Sequence, residues 1–136
     1  MNVVIDCNIF VMCLTSNSPY HFIFRSLVNG EFNLAVTADI LLEYEEVLQQ
    51  KYSAATAKTF VTLLNELPNV DFIHTYFHWQ LMTIDMDDNK YCDCAVSSQA
   101  SYIVTEDRHF DILKTISFPS LTAIRIDAFM DILKTL

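Results

Sequence analysis

Acidic side chains follow two apolar runs of the sequence at the point where each run ends. Residues 3–5 lead into Asp6, and residues 103–105 lead into Glu106 and Asp107. In a parallel sheet both runs would place their carboxylates at the same edge. An acid after a strand often caps the next helix by accepting hydrogen bonds from its free N–H groups. Two acids at one edge also repel each other, and a bound cation would relieve that repulsion. Capping and cation binding are therefore both open roles for these carboxylates.

Further carboxylates lie in and before a helical pattern at residues 91–100. Asp93 is at the border of the apolar face of this pattern, where an acid with a purely solvated role is not expected. Asp85, Asp87 and Asp88 precede the helix, where acids interact favourably with the positive end of its dipole. We expect that dipole role for Asp87 and leave the roles of Asp85 and Asp88 open.

The helix predicted after Thr37 carries three glutamates near its middle. On a helical wheel its apolar stripe centres on Tyr44, so that Glu43 and Glu45 flank the stripe symmetrically and Glu46 faces water. Periodicity alone does not choose between Glu43 and Glu45 as the side chain that turns toward the carboxyl ends of the strands.

The composition limits which protein classes are possible. The 136 residues include 8 Lys and Arg against 17 Asp and Glu, and the 52% hydrophobic share is too high for a disordered acidic segment. The single glycine, Gly30, excludes the glycine-rich motifs of Rossmann folds, P-loop proteins and α/β-hydrolases. A formal charge of −9 argues against a broad basic face for duplex DNA, while a local, metal-bridged nucleic-acid site stays possible.

The cysteine spacing favours buried free thiols. Five residues separate Cys7 from Cys13 and one separates Cys92 from Cys94, which fits neither a zinc site nor a disulfide framework. The start of the chain lacks the pattern of a signal peptide. Residues 7–24 carry no charged side chain, but a turn signal interrupts them, so we predict two short elements rather than a membrane span. We expect a soluble, cytoplasmic protein.

Short apolar strands alternate with longer helical patterns along the chain. Strands are predicted at residues 2–6, 33–37, 70–73, 102–105 and 123–126. Helices are predicted at residues 9–14, 19–28, 38–51, 53–67, 91–100, 110–115 and from 127 to 133. Ser18, Thr37 and Asp127 are the predicted N-caps of three of them. This order predicts an α/β fold with a parallel sheet covered by helices on both faces, and ligands bind beyond the carboxyl ends of the strands in such sheets.

Several sequence blocks together resemble the PIN domain family, and within it the toxin-like (VapC-related) branch of bacterial toxin–antitoxin pairs. The blocks are Val4-Ile5-Asp6-Cys7-Asn8, Leu42-Glu43-Tyr44, Asp88-Asn89-Lys90-x-x-Asp93-x-Ala95 and Val104-Thr105-Glu106-Asp107. The resemblance implies one PIN-like domain over residues 1–136, with a three-layer α/β/α architecture and a central parallel sheet of four to five strands. It also implies an endoribonuclease that depends on Mg²⁺ or Mn²⁺, and it favours Glu43 over Glu45.

The resemblance also assigns roles to individual residues. The catalytic and metal-binding carboxylates would be Asp6, Glu43, Asp93 and Asp107. Asn8 and Thr105 are supporting candidates that could orient a metal-bound water or the phosphate, with helix capping or turn formation as an equal alternative for both, and Asp88 and His109 complete the supporting set. Hard divalent cations take carboxylate oxygens, so the implied ligand set suits the implied cofactor.

One position departs from the family pattern. The last block of the family usually reads Thr-Gly-Asp-x-Asp, whereas this chain has His109 in place of the final carboxylate. A neutral imidazole can bind Mn²⁺ but is a poor ligand for Mg²⁺. The number of bound metal ions is therefore open. His21, His74 and His78 receive no role.

The acidic chain offers few cations for RNA. Arg108, Lys90 and Lys51 are the positive side chains best placed to meet phosphates. The resemblance further implies a cognate antitoxin protein and a homodimer. Residues 76–79 are a candidate contact surface, with core packing expected for Phe77 and Trp79 within it.

Three functions compete at this point. The first is a metal-dependent PIN ribonuclease, the toxin of a toxin–antitoxin pair. The second is a PIN-like binding module that has lost turnover. The third, a phosphoryl-transfer enzyme, is disfavoured because Asn8 cannot act as a general acid and because the last predicted strand offers Arg125 where a receiver domain needs a lysine.

Overall fold

A parallel sheet of five strands forms the centre of the molecule, for which a computed structural model describes residues 1–136. The strands are β1 (Asn2–Ile5), β2 (Asn33–Val36), β3 (Val70–Phe72), β4 (Tyr102–Val104) and β5 (Ala123–Ile124). Their order is β3-β2-β1-β4-β5, and every neighbouring pair is parallel. The chain therefore builds outward from β1 to β3 and then returns to add β4 on the other side of β1. A ligand crevice is expected at this switch point, beyond the carboxyl ends of β1 and β4.

The helices flank this sheet, which confirms the predicted α/β class. They are α1 (Cys7–Cys13), α2 (His21–Val28), α3 (Ala38–Lys51), α4 (Ala54–Glu66), α5 (Asn89–Ser98) and α6 (Ile126–Lys134). Two 3₁₀ segments, Met86–Asp88 and Arg108–Thr115, complete the regular structure. None of the helices combines the length and the apolar character that crossing a membrane would need.

The central strand β1 is buried because its side chains are apolar on both faces. Val3, Val4 and Ile5 have no exposed surface, as expected for a central strand with helices on both sides. The four cysteines are free and buried, which confirms the sequence prediction. Phe77 is wrongly predicted as a core residue, since 61% of it is exposed, and its ring packs instead against Trp79 with 4.6 Å between centroids.

Two local features fix α3 relative to the end of β1. Thr37 caps the helix as predicted, because its Oγ1 accepts a hydrogen bond of 3.2 Å from the N–H of Ile40. Farther along, the buried hydroxyl of Tyr44 donates a hydrogen bond to the carbonyl oxygen of Ile5. This hydrogen bond also fixes the position of Glu43, since Glu43 precedes Tyr44 on the helix.

Two predicted caps are wrong. Helix α2 begins at His21 rather than at Pro19, because the hydroxyl of Ser18 accepts from the N–H of Tyr20 and holds these residues in a turn. Helix α6 begins at Ile126, so that Asp127 lies inside its first turn. The first free N–H of α6 is satisfied from another element: Glu106 Oε1, just after β4, accepts a hydrogen bond of 3.0 Å from the N–H of Ile126.

The cap of α6 gives a stability prediction. We expect Glu106→Ala to lower the free energy of unfolding by about 1 kcal/mol, because it leaves the N–H of Ile126 without its acceptor. Glu106→Gln keeps an acceptor oxygen and should change stability by only a few tenths of that amount. Urea unfolding at neutral pH measures both. A larger loss in Asp127→Ala than in Glu106→Ala would show that the cap is misassigned.

Candidate active site

Asp6 lies at the carboxyl end of β1 and is almost completely buried. It occupies the N-cap position of α1 without a side-chain capping hydrogen bond. Instead, its Oδ2 accepts a hydrogen bond of 2.8 Å from Thr105 Oγ1, at the end of β4. Burial raises the pKa of Asp6, and the hydrogen bond from Thr105 only partly opposes this effect. Asp6 is therefore a buried carboxylate that has a side-chain hydroxyl as its partner rather than a cation.

Asp107 is connected to Asp6 by hydrogen bonds through the same residue, Thr105. The hydroxyl of Thr105 accepts a hydrogen bond of 3.0 Å from the N–H of Asp107. Asp107 Oδ1 in turn accepts from the N–H of His109 at 2.9 Å and so caps the 3₁₀ segment that follows. Ligand atoms of Asp85, Asp107 and His109 all lie within 4.8 Å of one another. His109 is thus near the site, as the sequence block placed it, and Asp85 joins it from a different segment.

Asp88 is the acid of this region whose pKa is raised by several other carboxylates. It is the half-buried residue that immediately precedes α5. Burial, together with the negative charges of Asp85, Asp6, Asp107 and Glu43, raises the pKa of Asp88 to about 7. Carboxylates from four parts of the chain therefore act on one another at the end of β1, which is the repulsion that a bound divalent cation relieves.

Glu43 faces the same region from α3. Its Oε1 accepts a hydrogen bond from the hydroxyl of Tyr91, which itself accepts from the N–H of Cys7 at 3.2 Å. Ligand atoms of Asp6, Cys7 and Glu43 lie within 4.8 Å of one another. Burial raises the pKa of the Cys7 thiol, so this side chain stays protonated and offers no thiolate. The structure thus turns Glu43 toward the site, the residue that the resemblance favoured.

Lys90 is already engaged by carboxylates. Its Nζ lies 2.8 Å from Glu43 Oε2 and 2.8 Å from Asp87 Oδ2. Burial lowers the pKa of Lys90, but the hydrogen bonds with Asp87 and Glu43 outweigh it and raise the pKa above its usual value. The ammonium is therefore charged at neutral pH and is held by acids within the protein.

Asp93 faces a different part of the chain. Its Oδ1 accepts a hydrogen bond of 3.0 Å from the N–H of Trp79, and its Oδ2 lies 3.1 Å from His78 Nδ1. It lies five residues beyond Asp88, which on a helix corresponds to a rotation of about 140°. Both oxygens of Asp93 are thus engaged by residues 78–79, whereas Asp88 is the acid of this region whose pKa Asp6 and Asp107 help to raise.

An open cleft of about 440 Å³ lies between α3 and the start of α5. Glu43, Lys90, His78 and Asp93 all line it. Asp93 thus borders the cleft, and its oxygens hold residues 78–79 through hydrogen bonds.

The remaining predicted residues lie at the rim or outside the site. Asn8 is exposed in the first turn of α1, and Arg108 is exposed directly after Asp107. Lys51 is the last residue of α3, eight positions beyond Glu43 and so about 12 Å farther along the helix. The structure therefore does not bring Lys51 to the acidic site.

Sequence reasoning missed Tyr91 and His78. Tyr91 is completely buried, so its apolar environment gave no signal that its hydroxyl connects Glu43 with α1. His78 received no role because no acid is close to it in sequence, and its partner Asp93 lies fifteen positions away.

Comparison with known proteins places these features in a family. The sequence matches the family model described as PIN domain over residues 2–109. A search of curated proteins gives no significant match. The VapBC2 complex of Rickettsia felis, solved with a DNA fragment from its promoter, has a TM-score of 0.63 and 14% identity, and the alignment covers 92% of this chain and 98% of that chain.

Two further solved structures are similar to the chain. VapBC-1 from nontypeable Haemophilus influenzae has a TM-score of 0.63 and 14% identity, and the alignment covers 93% of this chain and 99% of that chain. Mycobacterium tuberculosis VapC20, a toxin that cleaves the sarcin-ricin loop, has a TM-score of 0.60 and 10% identity, with 80% of this chain and 92% of that chain covered. At such identities the likeness shows a shared fold.

Asp93 gives a prediction about the segment it holds. We expect Asp93→Ala to lower the free energy of unfolding by about 1–3 kcal/mol, because it removes the acceptor of the Trp79 N–H and the partner of His78. Trp79 is the single tryptophan, so its emission should also shift to longer wavelength as the segment opens. Asp93→Asn, which keeps an acceptor oxygen, should lose less. Asp131→Ala, at an exposed acid of α6, is the control and should leave the emission unchanged.

The raised pKa of Asp88 gives a prediction about pH. Its pKa is about 7 in the folded protein against a usual value of 3.8, so its contribution to stability is fully present below about pH 4 and is lost as pH rises through 7. Asp88→Asn cannot ionise and should be more stable than the parent chain at pH 8 by roughly 1–2 kcal/mol, a value reduced for the partial exposure of the carboxyl. Urea unfolding in EDTA at pH 5 and pH 8 measures the difference, which should shrink at pH 5. An equal difference at both pH values would contradict the prediction.

Proposed function

This chain belongs to the PIN domain family, and from that premise we propose that it is a metal-dependent endoribonuclease that hydrolyses RNA phosphodiester bonds. One observation carries the proposal: carboxylates from four segments meet at the ends of β1 and β4, and their mutual repulsion helps to raise the pKa of Asp88 to about 7. Isolated surface acids do not perturb one another in this way, and perturbed groups of this kind are concentrated at functional sites.

The chemistry of the available donors suits a hard divalent cation. Asp6, Asp88 and Asp107 offer carboxylate oxygens, and Mg²⁺ and Mn²⁺ are commonly bound through such oxygens and water. We assign these three residues as the ligands, with Asp88 in the place first given to Asp93, and Glu43 as the carboxylate beside them. When bound, the cation supplies activation of water and stabilisation of negative charge on phosphate.

The residues of this chain prepare the site for that role. Thr105 holds Asp6 through its hydroxyl, which leaves the second oxygen of Asp6 available. Asp88 is about half protonated near pH 7, so cation binding at neutral pH displaces a proton from it. Asn8 and Arg108, both exposed at the rim, are placed to donate hydrogen bonds to a phosphate.

We further propose an RNA substrate and an antitoxin partner. VapC20 is described as a toxin that cleaves the sarcin-ricin loop, and two other similar structures are VapBC complexes. By that similarity this chain would be the cytoplasmic toxin of a toxin–antitoxin pair and would form a homodimer. Exposed aromatic side chains offer a surface for protein contact, namely Tyr76, Phe77 and Phe118.

A PIN-like binding module without turnover is the second candidate. The ion pair between Lys90 and Glu43 favours it, because a neutralised glutamate is less available to a metal ion. His109 favours it as well, since an imidazole stands where the family often has a carboxylate.

An RNA cleavage assay distinguishes the two candidate functions. We expect the purified chain to cleave a single-stranded RNA in Mn²⁺ or Mg²⁺ and to lose this activity in EDTA. Asp6→Asn and Asp88→Asn should each lower the rate by about 10²–10³-fold, because each removes a charge that acts directly at the site. Asp93→Asn should stay within about tenfold of the parent rate, and Asp131→Asn is the matched control for loss of an exposed acid.

Two outcomes would count against this proposal. If Asp93→Asn abolishes cleavage while Asp88→Asn cuts normally, the ligand assignment is wrong. If no RNA is cut and millimolar Mn²⁺ leaves the melting temperature unchanged, the chain is the binding module, since a ligand of the native state must raise that temperature.

A further inference from the structure

Lys90 lies between two carboxylates at the side of the proposed metal site. Its Nζ is 2.8 Å from Glu43 Oε2 and 2.8 Å from Asp87 Oδ2, and only 14% of its side chain is exposed. The ammonium also lies 5.6 Å from the centre of the Tyr91 ring. A cation of the protein itself therefore occupies the space where these two carboxylates converge.

We propose that Lys90 is a positioning residue whose fixed positive charge takes the place of a second divalent cation, so that this site binds one divalent cation and not two. The inference rests on the proposed function, because it concerns which cation interacts with each of the same carboxylates. It assigns Glu43 and Asp87 to the lysine and leaves Asp6, Asp88 and Asp107 to the metal ion.

The hydrogen bonds of Glu43 support this division. One of its oxygens accepts from Tyr91 and the other from Lys90, so that each oxygen already has a partner from α5. A divalent cation that used Glu43 would have to displace the ammonium of Lys90. The displaced charge would then lose both hydrogen bonds in a place with little access to water, which is costly.

The ion pairs of the other acids show the complementary pattern. Neither Asp6 nor Asp88 has a Lys or Arg nitrogen within 4.0 Å, and Asp107 pairs only with His109, at 3.5 Å. The carboxylates at the ends of β1 and β4 thus have no internal cation, while Glu43 has one. A single divalent cation on that side and an ammonium on the other would each offset part of the negative charge of its own group of acids.

Geometry and charge also explain why a lysine suits this position. A lysine ammonium is a compact point charge with three donors, and here two of them reach carboxylates on different elements, α3 and the turn before α5. It therefore fixes α3 against α5 and neutralises Glu43 in the same contact. In two-metal nucleases the second cation stabilises charge on the leaving oxygen, and Lys90 supplies a permanent positive charge that lines the cleft.

The test is the number of Mn²⁺ ions bound per chain. Binding is measured by isothermal titration calorimetry, with free Mn²⁺ followed in parallel by electron paramagnetic resonance. We expect one ion for the parent chain and two for Lys90→Met, which has a neutral side chain of similar length and frees Glu43 and Asp87. Lys90→Arg keeps the charge and should return to one. Lys58→Met, at an exposed lysine of α4, is the matched control and should also bind one.

A kinetic measurement accompanies the stoichiometry. The cleavage rate of the parent chain should rise with Mn²⁺ concentration along a simple saturation curve, whereas Lys90→Met should show a sigmoidal curve with a Hill coefficient approaching two. A merely structural role of Lys90 would lower stability without changing the shape of this curve.

The outcomes separate this inference from the function on which it rests. One ion for Lys90→Met, or two for the parent chain, overturns the inference and leaves the proposed nuclease standing. No ion bound to the parent chain overturns the proposed metal site and the inference together. If Lys90→Met fails to fold, as judged by circular dichroism, the parent stoichiometry at millimolar Mn²⁺ still decides, since two ions there contradict the inference.

Discussion

Electrostatic repulsion among carboxylates at the ends of β1 and β4 is the constraint to which the rest of the site responds. The strand order places β1 beside β4, so that Asp6 and the segment of Asp107 must emerge at one point of the sheet edge. Burial then removes the water that would screen the charges. Two neutral donors, the hydroxyls of Thr105 and Tyr91, and one lysine ammonium donate hydrogen bonds to these carboxylates. None of these donors gives Asp88 a positive partner, and its pKa rises accordingly.

Buried tyrosine hydroxyls connect the acidic site with the packed helices. Tyr44 connects α3 to the last carbonyl of β1, and Tyr91 connects α5 to both Glu43 and the start of α1. Each ring contributes apolar surface to the core, and each hydroxyl needs a partner there because an unpaired buried polar group is costly. The core and the acidic site therefore share residues, and the position of Glu43 is fixed by packing as much as by charge.

The sequence was sufficient to predict the acids that directly follow strands. It was insufficient to predict those whose position depends on where a helix begins. Asp6 and Asp107 could be found because each directly follows an apolar strand. The role of Asp88 could not, because the predicted helix began at residue 91, whereas a 3₁₀ turn at Met86–Asp88 leads straight into α5 at Asn89. With this earlier helix start, Asp88 immediately precedes α5, and the carboxylate of Asp93 accepts from the N–H of Trp79. Similarly, Glu106 caps α6 across a chain separation of twenty residues, which no local pattern reveals.

Asp88, just before α5, and Asp93, within α5, have different surroundings. Asp93 lines the cleft, and its oxygens are engaged by His78 and by the N–H of Trp79. These hydrogen bonds give both oxygens of Asp93 partners within the protein, so this side chain anchors the cleft wall without a metal ion. Asp88, which shares its surroundings with other anions, lacks such donors and must be neutralised by a proton or by a cation. The proposed division between a structural Asp93 and a metal-binding Asp88 therefore rests on which neighbours donate to each carboxylate.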